Sequence, residues 1–366
     1  MKIVIRAGGT GTRLWPWSRC NAPKQFLPMF GRQSCVQLAY QRFVASALAR
    51  PEDIYVSVGE PHEGLAREQL PDLPADHVIV EPSQMDTAAA IGLETVAVAG
   101  DDPDVVIASL GSDHYVGNPE AFIRALRAAE RFLATAPHLL VAIACEPSRV
   151  ETNYGHVKKA RPLGEFEGIT VHAVAEFTEK PDAETARRYT ESGEYLWNAN
   201  FFVWTAGALM AQFREFEPQM HAAFMRILEG RRAGRFREAI EQAYPTLKKV
   251  AIDYAVLEPA AARGRLAVVP VAMDWSDIGS WGTITDAFPP DDSGNLFDGP
   301  VLARDTRNTT IIVKNPRRRL VAAIGVSDLA VVDTDDALLI VPKHLSGRVK
   351  ELVEDLKKDG RCHDLL

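Results

Sequence analysis

The sequence predicts an α/β fold, a mostly parallel sheet covered by helices on both faces, followed by a small β-rich C-terminal domain. Three observations lead there. Short apolar runs alternate with longer amphipathic ones from the first residues to Cys145, a Pro/Gly/Asp-rich stretch (PPDDSGNLFDGP) follows Trp281, and beyond it short apolar runs succeed one another without helices between them. Parallel neighbours need long crossovers, usually helical, so strict alternation of the two patterns argues for a parallel sheet.

In chain order, KIVIRA reads as a strand and Cys35 to Ala49 as a helix; IYVSV is followed by the helical stretch His62 to Leu70, and HVIVE by Met85 to Ala99. VVIASL, the helix Pro119 to Thr135 and LLVAIAC continue the series. Ligands of such a sheet sit beyond the carboxyl ends of its strands. From Thr152 to Val268 the order loosens: a strand pair near Ile169 to Phe177, an apolar segment Leu196 to Trp204 and polar helices through Lys249 predict an insertion that walls a cleft. Turn-forming residues then mark a boundary between a domain 1–288 and a domain 295–366. In the latter, TTIIV, RLVAAIGV, LAVV and ALLIV predict strands and Ser346 to Lys358 a terminal amphipathic helix.

The chain has 366 residues, 46% hydrophobic and 25% charged, a balance too apolar for intrinsic disorder. Its 41 basic and 49 acidic residues give a net charge of −8, so no basic footprint for nucleic acid is expected and any phosphate site must be local. The uncharged stretch Tyr195 to Phe213 contains Asn198, Asn200, Gly207 and Gln212 and reads poorly as a membrane helix. MKIVIRAGG runs straight into a strand pattern unlike a signal peptide, so a cytoplasmic location is expected. Cys20, Cys35, Cys145 and Cys362 lack CxxC spacing and are expected to be reduced, with no zinc site.

Chemistry first shows in AGGTGTRLWPWSRCNAPKQFL, residues 7–27, directly after the first strand. Clustered glycines let a ligand approach the backbone and expose N–H donors to phosphate oxygens. A dinucleotide fingerprint would need a third glycine where Leu14 stands, and a Walker A loop would need a lysine that is missing. Instead Arg13 and Lys24 flank the loop, stiffened by Pro16 and Pro23, and two fixed cations beside a glycine cradle suit a polyphosphate.

GGTGTRLWPWSR followed by PKQFL resembles the signature of the sugar-nucleotide pyrophosphorylases, most closely the mannose-1-phosphate guanylyltransferases. The resemblance implies a Rossmann-like nucleotidyltransferase domain, nucleotide contact at Ala7, Gly8, Gly9, Thr10, Gly11 and Thr12, and catalytic cations Arg13 and Lys24. EPSQMDTAAA is similar to the family's nucleotide segment, which adds Glu81, Thr87 and Ala88. Glu81 could accept guanine's two adjacent donors, N1–H and the 2-amino group; family members usually carry Arg before Asn or Asp where this chain has Met85-Asp86. Gly111-Ser112-Asp113-His114 ends a strand, and WSDIGSW resembles the motif whose aspartate completes a metal site, implying Asp113 and Asp277 as ligands of Mg²⁺ or another divalent cation. The segments around Tyr154, Glu179 and Asn198 resemble the family's sugar-phosphate pocket, implying Gly155, Glu179, Lys180 and Asn198, with Asp253 nearby; Asn200 stands where glycine is common.

The implied reaction transfers GMP from GTP to mannose 1-phosphate, giving GDP-mannose and pyrophosphate. A pyrophosphorylase for another hexose 1-phosphate or nucleotide, and a non-catalytic nucleotide-sugar sensor, stay open as alternatives. The expected partners are the two substrates and a second copy of the chain, without nucleic acid or membrane. Arg6, a charge at the end of the first strand, finds no role in this scheme.

Overall fold

The computed structural model describes residues 1–9, 11–29, 31–314, 319–359 and 365–366. The chain divides into two compact units: Met1–Gly8, Gln37–Ser112 and Val116–Trp275 form one, and Gly9–Val36, Asp113–Tyr115 and Ser276–Leu366 the other. The glycine-rich loop therefore belongs to the same unit as the C-terminal strands, a grouping that the contiguous segmentation 1–288 and 295–366 does not express.

The first unit is built on a nine-stranded sheet. Its strands are β1 (Lys2–Arg6), β2 (Ile54–Gly59), β3 (Val78–Glu81), β4 (Val106–Gly111), β5 (Leu140–Cys145), β6 (Gly155–Phe166), β7 (Ile169–Glu179), β8 (Tyr195–Thr205) and β9 (Leu266–Pro270). The spatial order is β3-β2-β1-β4-β8-β5-β9-β7-β6. β1 pairs in parallel with β2 and β4, β2 with β3, and β5 with β9, whereas β8 runs antiparallel between β4 and β5. The register sets Arg6 beside Ser57 and Gly111, and Gly59 beside Glu81, so the strand ends that carry the candidate residues share one edge of the sheet.

One expectation is corrected. The segment Leu196 to Trp204 is a central strand of the main sheet, not part of an insertion outside it. Every residue of β8 except Asn200 is buried, and a strand apolar on both faces belongs inside a covered sheet. Packed against the sheet, the helix Asp86–Ala99 is buried continuously from Ala88 to Val98. A β-carbon on its Gly92 would lie 2.0 Å from the Phe224 ring of the helix Pro218–Arg232.

In the second unit the strands Leu296–Asp298, Thr310–Val313, Leu329–Asp333 and Leu338–Pro342 form a four-stranded sheet, and Val301–Arg304 pairs with Val321–Ile324. Pairing is parallel except for the last hairpin, so successive short strands stack as coils without helical crossovers. The terminal helix spans Val349–Asp359. The unit's core joins Leu14 and Trp15 from the loop, and Met29 and Cys35 after it, to Ile278, Trp281, Ile312, Val332, Leu339 and Val353.

Candidate active site

In the second unit, the glycine-rich loop is shaped by what packs on it. Gly11 has φ +61°, and a β-carbon there would stand 2.7 Å from Ser18 Oγ and 2.8 Å from Lys24 Cβ. Only glycine satisfies both the left-handed backbone and the space. Gln25 Nε2 donates to the Gly9 carbonyl at 2.7 Å and clamps the loop. Trp281 donates from Nε1 to the Trp15 carbonyl at 2.9 Å and stacks on Trp17 at 6.4 Å, so the tryptophans of the opening motif and of WSDIGSW interlock. Thr12 starts the short helical turn Thr12–Leu14 on which Arg13 lies exposed; Thr10 lies outside the described residues.

Lys24 is 3% exposed. Its Nζ donates to Asp113 Oδ2 at 3.1 Å and to the backbone carbonyl of Asp277. One ammonium thus joins two aspartates far apart in sequence. The Asp113 side chain keeps 34% of its surface. Burial alone would raise its carboxyl, but Lys24, and after it His114 with Nε2 3.8 Å from Oδ1, outweigh this and hold it at about 2. Asp277 Oδ1 accepts the Gly279 N–H at 2.9 Å, and a β-carbon on Gly279 would meet Asp277 Oδ2 at 2.5 Å, which explains the glycine two places on. Among the described residues no three His, Cys, Asp or Glu side chains group as metal ligands. Asp113 and Asp277 meet on one lysine, the latter through its backbone, and Mg²⁺ needs as few as one or two protein carboxylates when substrate phosphates complete its shell.

In the first unit, Ala7 donates its N–H to the Ser57 carbonyl at 2.7 Å, which takes that donor from any phosphate. Gly8 passes so close to Glu81 that a β-carbon would lie 3.1 Å from Oε1. Glu81 is 8% exposed and accepts the Tyr244 hydroxyl at Oε2 and Ser57 Oγ at Oε1. Burial raises its carboxyl against these bonds. Both oxygens are therefore engaged inside the unit. They are not presented bare, as a reader of two guanine donors would present them. The Thr87 hydroxyl accepts the Ile252 N–H at 2.8 Å, and the Ala88 N–H donates to the Val250 carbonyl at 3.1 Å. These two candidates tie a helix start to a neighbouring segment.

The four sugar-phosphate candidates meet. A β-carbon on Gly155 at the start of β6 would lie 2.7 Å from Glu179 Oε2 and 3.1 Å from Asn198 Cβ. Glu179 ends β7 and pairs with Lys180 Nζ at 2.7 Å; Asn198 on β8 donates from Nδ2 to Asp253 Oδ1 at 3.2 Å. Burial raises the Glu179 carboxyl, with Lys180 opposing; burial and then Glu179 push Asp253 up to about 7. The result is a cluster of two carboxylates, an amide and an ammonium, acceptors and donors of the kinds that sugar hydroxyls and a phosphate require.

Sequence reasoning missed Tyr244 and Ser57, the partners of Glu81, and Gln25 on the loop. Nothing in the sequence marks Tyr244. Glu94 had a signal, since it is a lone acid inside the apolar run AAAIGLETVAVA, and it is fully buried against Ser109.

Residues 2–293 match the family model for nucleotidyl transferases, and residues 299–356 match one for a mannose phosphate isomerase/GMP-like β-helix domain. A mannose-1-phosphate guanylyltransferase from Klebsiella pneumoniae is 36% identical over 363 residues, covering 98% of this chain and 74% of that protein. A xanthan biosynthesis protein from Xanthomonas campestris is 35% identical over 361 residues, covering 98% and 73%. A crystal structure described as a mannose-1-phosphate geranyltransferase from Thermus thermophilus superposes with a TM-score of 0.85 at 31% identity, covering 97% of this chain and 99% of that one.

Proposed function

From the premise that the chain belongs to the nucleotidyl transferase family, we propose that it is a mannose-1-phosphate guanylyltransferase, transferring GMP from GTP to mannose 1-phosphate. A phosphate oxygen of the sugar phosphate attacks the α-phosphorus in line, the bond to the β-phosphate breaks, and pyrophosphate leaves with GDP-mannose as the second product. The nucleophile is already anionic at neutral pH, so no general base is needed and charge stabilisation dominates. That accords with candidate residues that are cations, carboxylates and an amide.

The observation that carries this reading is the Lys24 ammonium joining Asp113 to the Asp277 backbone. Lys24, with Arg13, is assigned to the triphosphate. Asp113 and Asp277 would hold a divalent cation, which when bound supplies charge neutralisation and orients the leaving pyrophosphate. Glu179, Asn198 and the Gly155 backbone are assigned to the sugar hydroxyls and Lys180 to its phosphate. The curated relatives' names and the meeting of these four residues support mannose 1-phosphate as the acceptor. Glu81, with both oxygens held by Tyr244 and Ser57, is assigned to the framework behind Gly8 and not to direct reading of the base.

A cytoplasmic setting and a homodimer belong to the same proposal; the exposed apolar side chains Leu302, Ile324, Leu338 and Ile340 support the second. Assaying pyrophosphate release for each of the four nucleoside triphosphates with mannose, glucose and galactose 1-phosphates tests the specificity. GTP with mannose 1-phosphate should be the best pair by kcat/KM. A different best pair would replace the substrates, and no turnover with any pair would overturn the activity.

A further inference from the structure

The buried run of β1 ends on a cation. Arg6 Nη1 donates to Ser109 Oγ at 2.7 Å, and Nη2 donates to two oxygens of Asn200, the backbone carbonyl at 2.6 Å and Oδ1 at 2.8 Å. The Phe202 ring lies 5.6 Å from the guanidinium carbon. Beyond Ser109, whose hydroxyl donates to Glu94 Oε2 at 2.7 Å, the other Glu94 oxygen is buried with no hydrogen-bond partner among the described residues. Burial pushes Glu94 up to about 7, and Arg6 is the strongest influence opposing it.

Asn200 is the residue that needs holding. Its φ of +56° lies in the left-handed region, which glycine adopts freely and which asparagine, though more tolerant than other residues with a β-carbon, enters at a cost. One guanidinium nitrogen, Nη2, grips the Asn200 carbonyl and side chain while the other, Nη1, is fixed on Ser109, a planar spread of three bonds that a point-like ammonium cannot reproduce. Held there, the Asn200 N–H donates to Asn198 Oδ1 at 3.2 Å, and Asn198 in turn donates to Asp253 Oδ1. An unbroken chain of contacts thus runs from Glu94 through Ser109, Arg6 and Asn200 to Asn198.

We infer that Arg6 is a positioning residue for the sugar-phosphate pocket, fixing Asn200 in its left-handed conformation and thereby orienting Asn198 toward the hexose 1-phosphate. The inference rests on the reaction proposed above. The rival reading is that Arg6 only neutralises Glu94, which would make it a stabilising residue with no preference between substrates.

The test measures KM and kcat for each substrate in the wild type, Arg6→Leu, Arg6→Lys, Asn200→Gly and the double variant Arg6→Leu/Asn200→Gly. Arg6→Leu should raise KM for mannose 1-phosphate ~10-fold and leave KM for GTP within ~2-fold, with Arg6→Lys in between. In the Asn200→Gly background the left-handed turn needs no help, so there Arg6→Leu should shift the sugar KM by less than ~2-fold. Equal rises in both KM values, or effects that multiply in the double variant, would overturn the inference. Should Arg6→Leu not fold, Arg6→Lys decides alone, and wild-type KM values for both substrates would overturn it. A wild type without turnover sinks the proposed activity instead. Melting temperatures of the same variants then decide, since a loss from Arg6→Leu as large in the Asn200→Gly background as in the wild type would show that Arg6 does not hold this turn.

Discussion

Lys24 is a buried cation whose partners are a carboxylate and a carbonyl. Removing one member of such a set leaves the others uncompensated. Lys24→Ala should lower turnover by ~10² or more, because a preorganised cation on the reacting phosphate acts mainly in the transition state. Its structural part is separable by pH. Asp113 is held at about 2, below the usual carboxylate value, so the pair's stabilisation is present above the unfolded-state pKa of ~3.9 and disappears as pH falls through about 2. The gap in melting temperature between wild type and Lys24→Ala should therefore narrow from pH 5 toward pH 2; a constant gap would show that Lys24 stabilises by packing alone. Asp113 and Asp277 are expected to act as one unit: chelator or either Asp→Ala change should abolish most activity, and the double variant should be little worse than the worse single one. Losses that multiply would separate the two aspartates.

At the scale of elements, glycines report where strands and helices touch. Gly155→Ala would drive a methyl group into Glu179 and Asn198, so it should raise KM for the sugar phosphate by ~10-fold or more while GTP binding holds. Gly92→Ala would meet the Phe224 ring instead, away from the candidate residues. It should cost about 1–3 kcal/mol in urea denaturation, the usual penalty for overpacking a core. Most elements were legible because their periodicity is clean: the helix expected from Pro119 begins there, and Cys35, Val78 and Val106 open elements within a residue or two of expectation. β8 was legible as apolar but not as central. An antiparallel strand inserted between two parallel ones breaks the alternation from which neighbours are inferred, and no local pattern announces it.

Across the whole molecule, residues that carry charge or glycine inside a motif were readable, and their neutral partners were not. Lys24, Asp113 and Asp277 stand out as charges, and the structure gathers them in one unit. Tyr244 and Ser57 look like ordinary core and strand residues until the fold sets them on Glu81. Arg6 was visible but unplaced, because its partners come from β4 and β8 and only the tertiary structure joins them. The parallel stacking of the C-terminal strands was equally hidden, since short apolar runs with turns between them fit a hairpin series as well as coils. The division into two units likewise follows core packing, as Leu14 and Trp15 share a cluster with Trp281 and Val353.

The most direct measurement is a ³¹P NMR time course of the purified chain with GTP, mannose 1-phosphate and Mg²⁺. GDP-mannose and pyrophosphate should grow in equal amounts as both substrates fall, with no pyrophosphate formed when mannose 1-phosphate is left out. Release of inorganic phosphate, or pyrophosphate formed at the same rate without the sugar phosphate, would contradict guanylyl transfer to a sugar 1-phosphate.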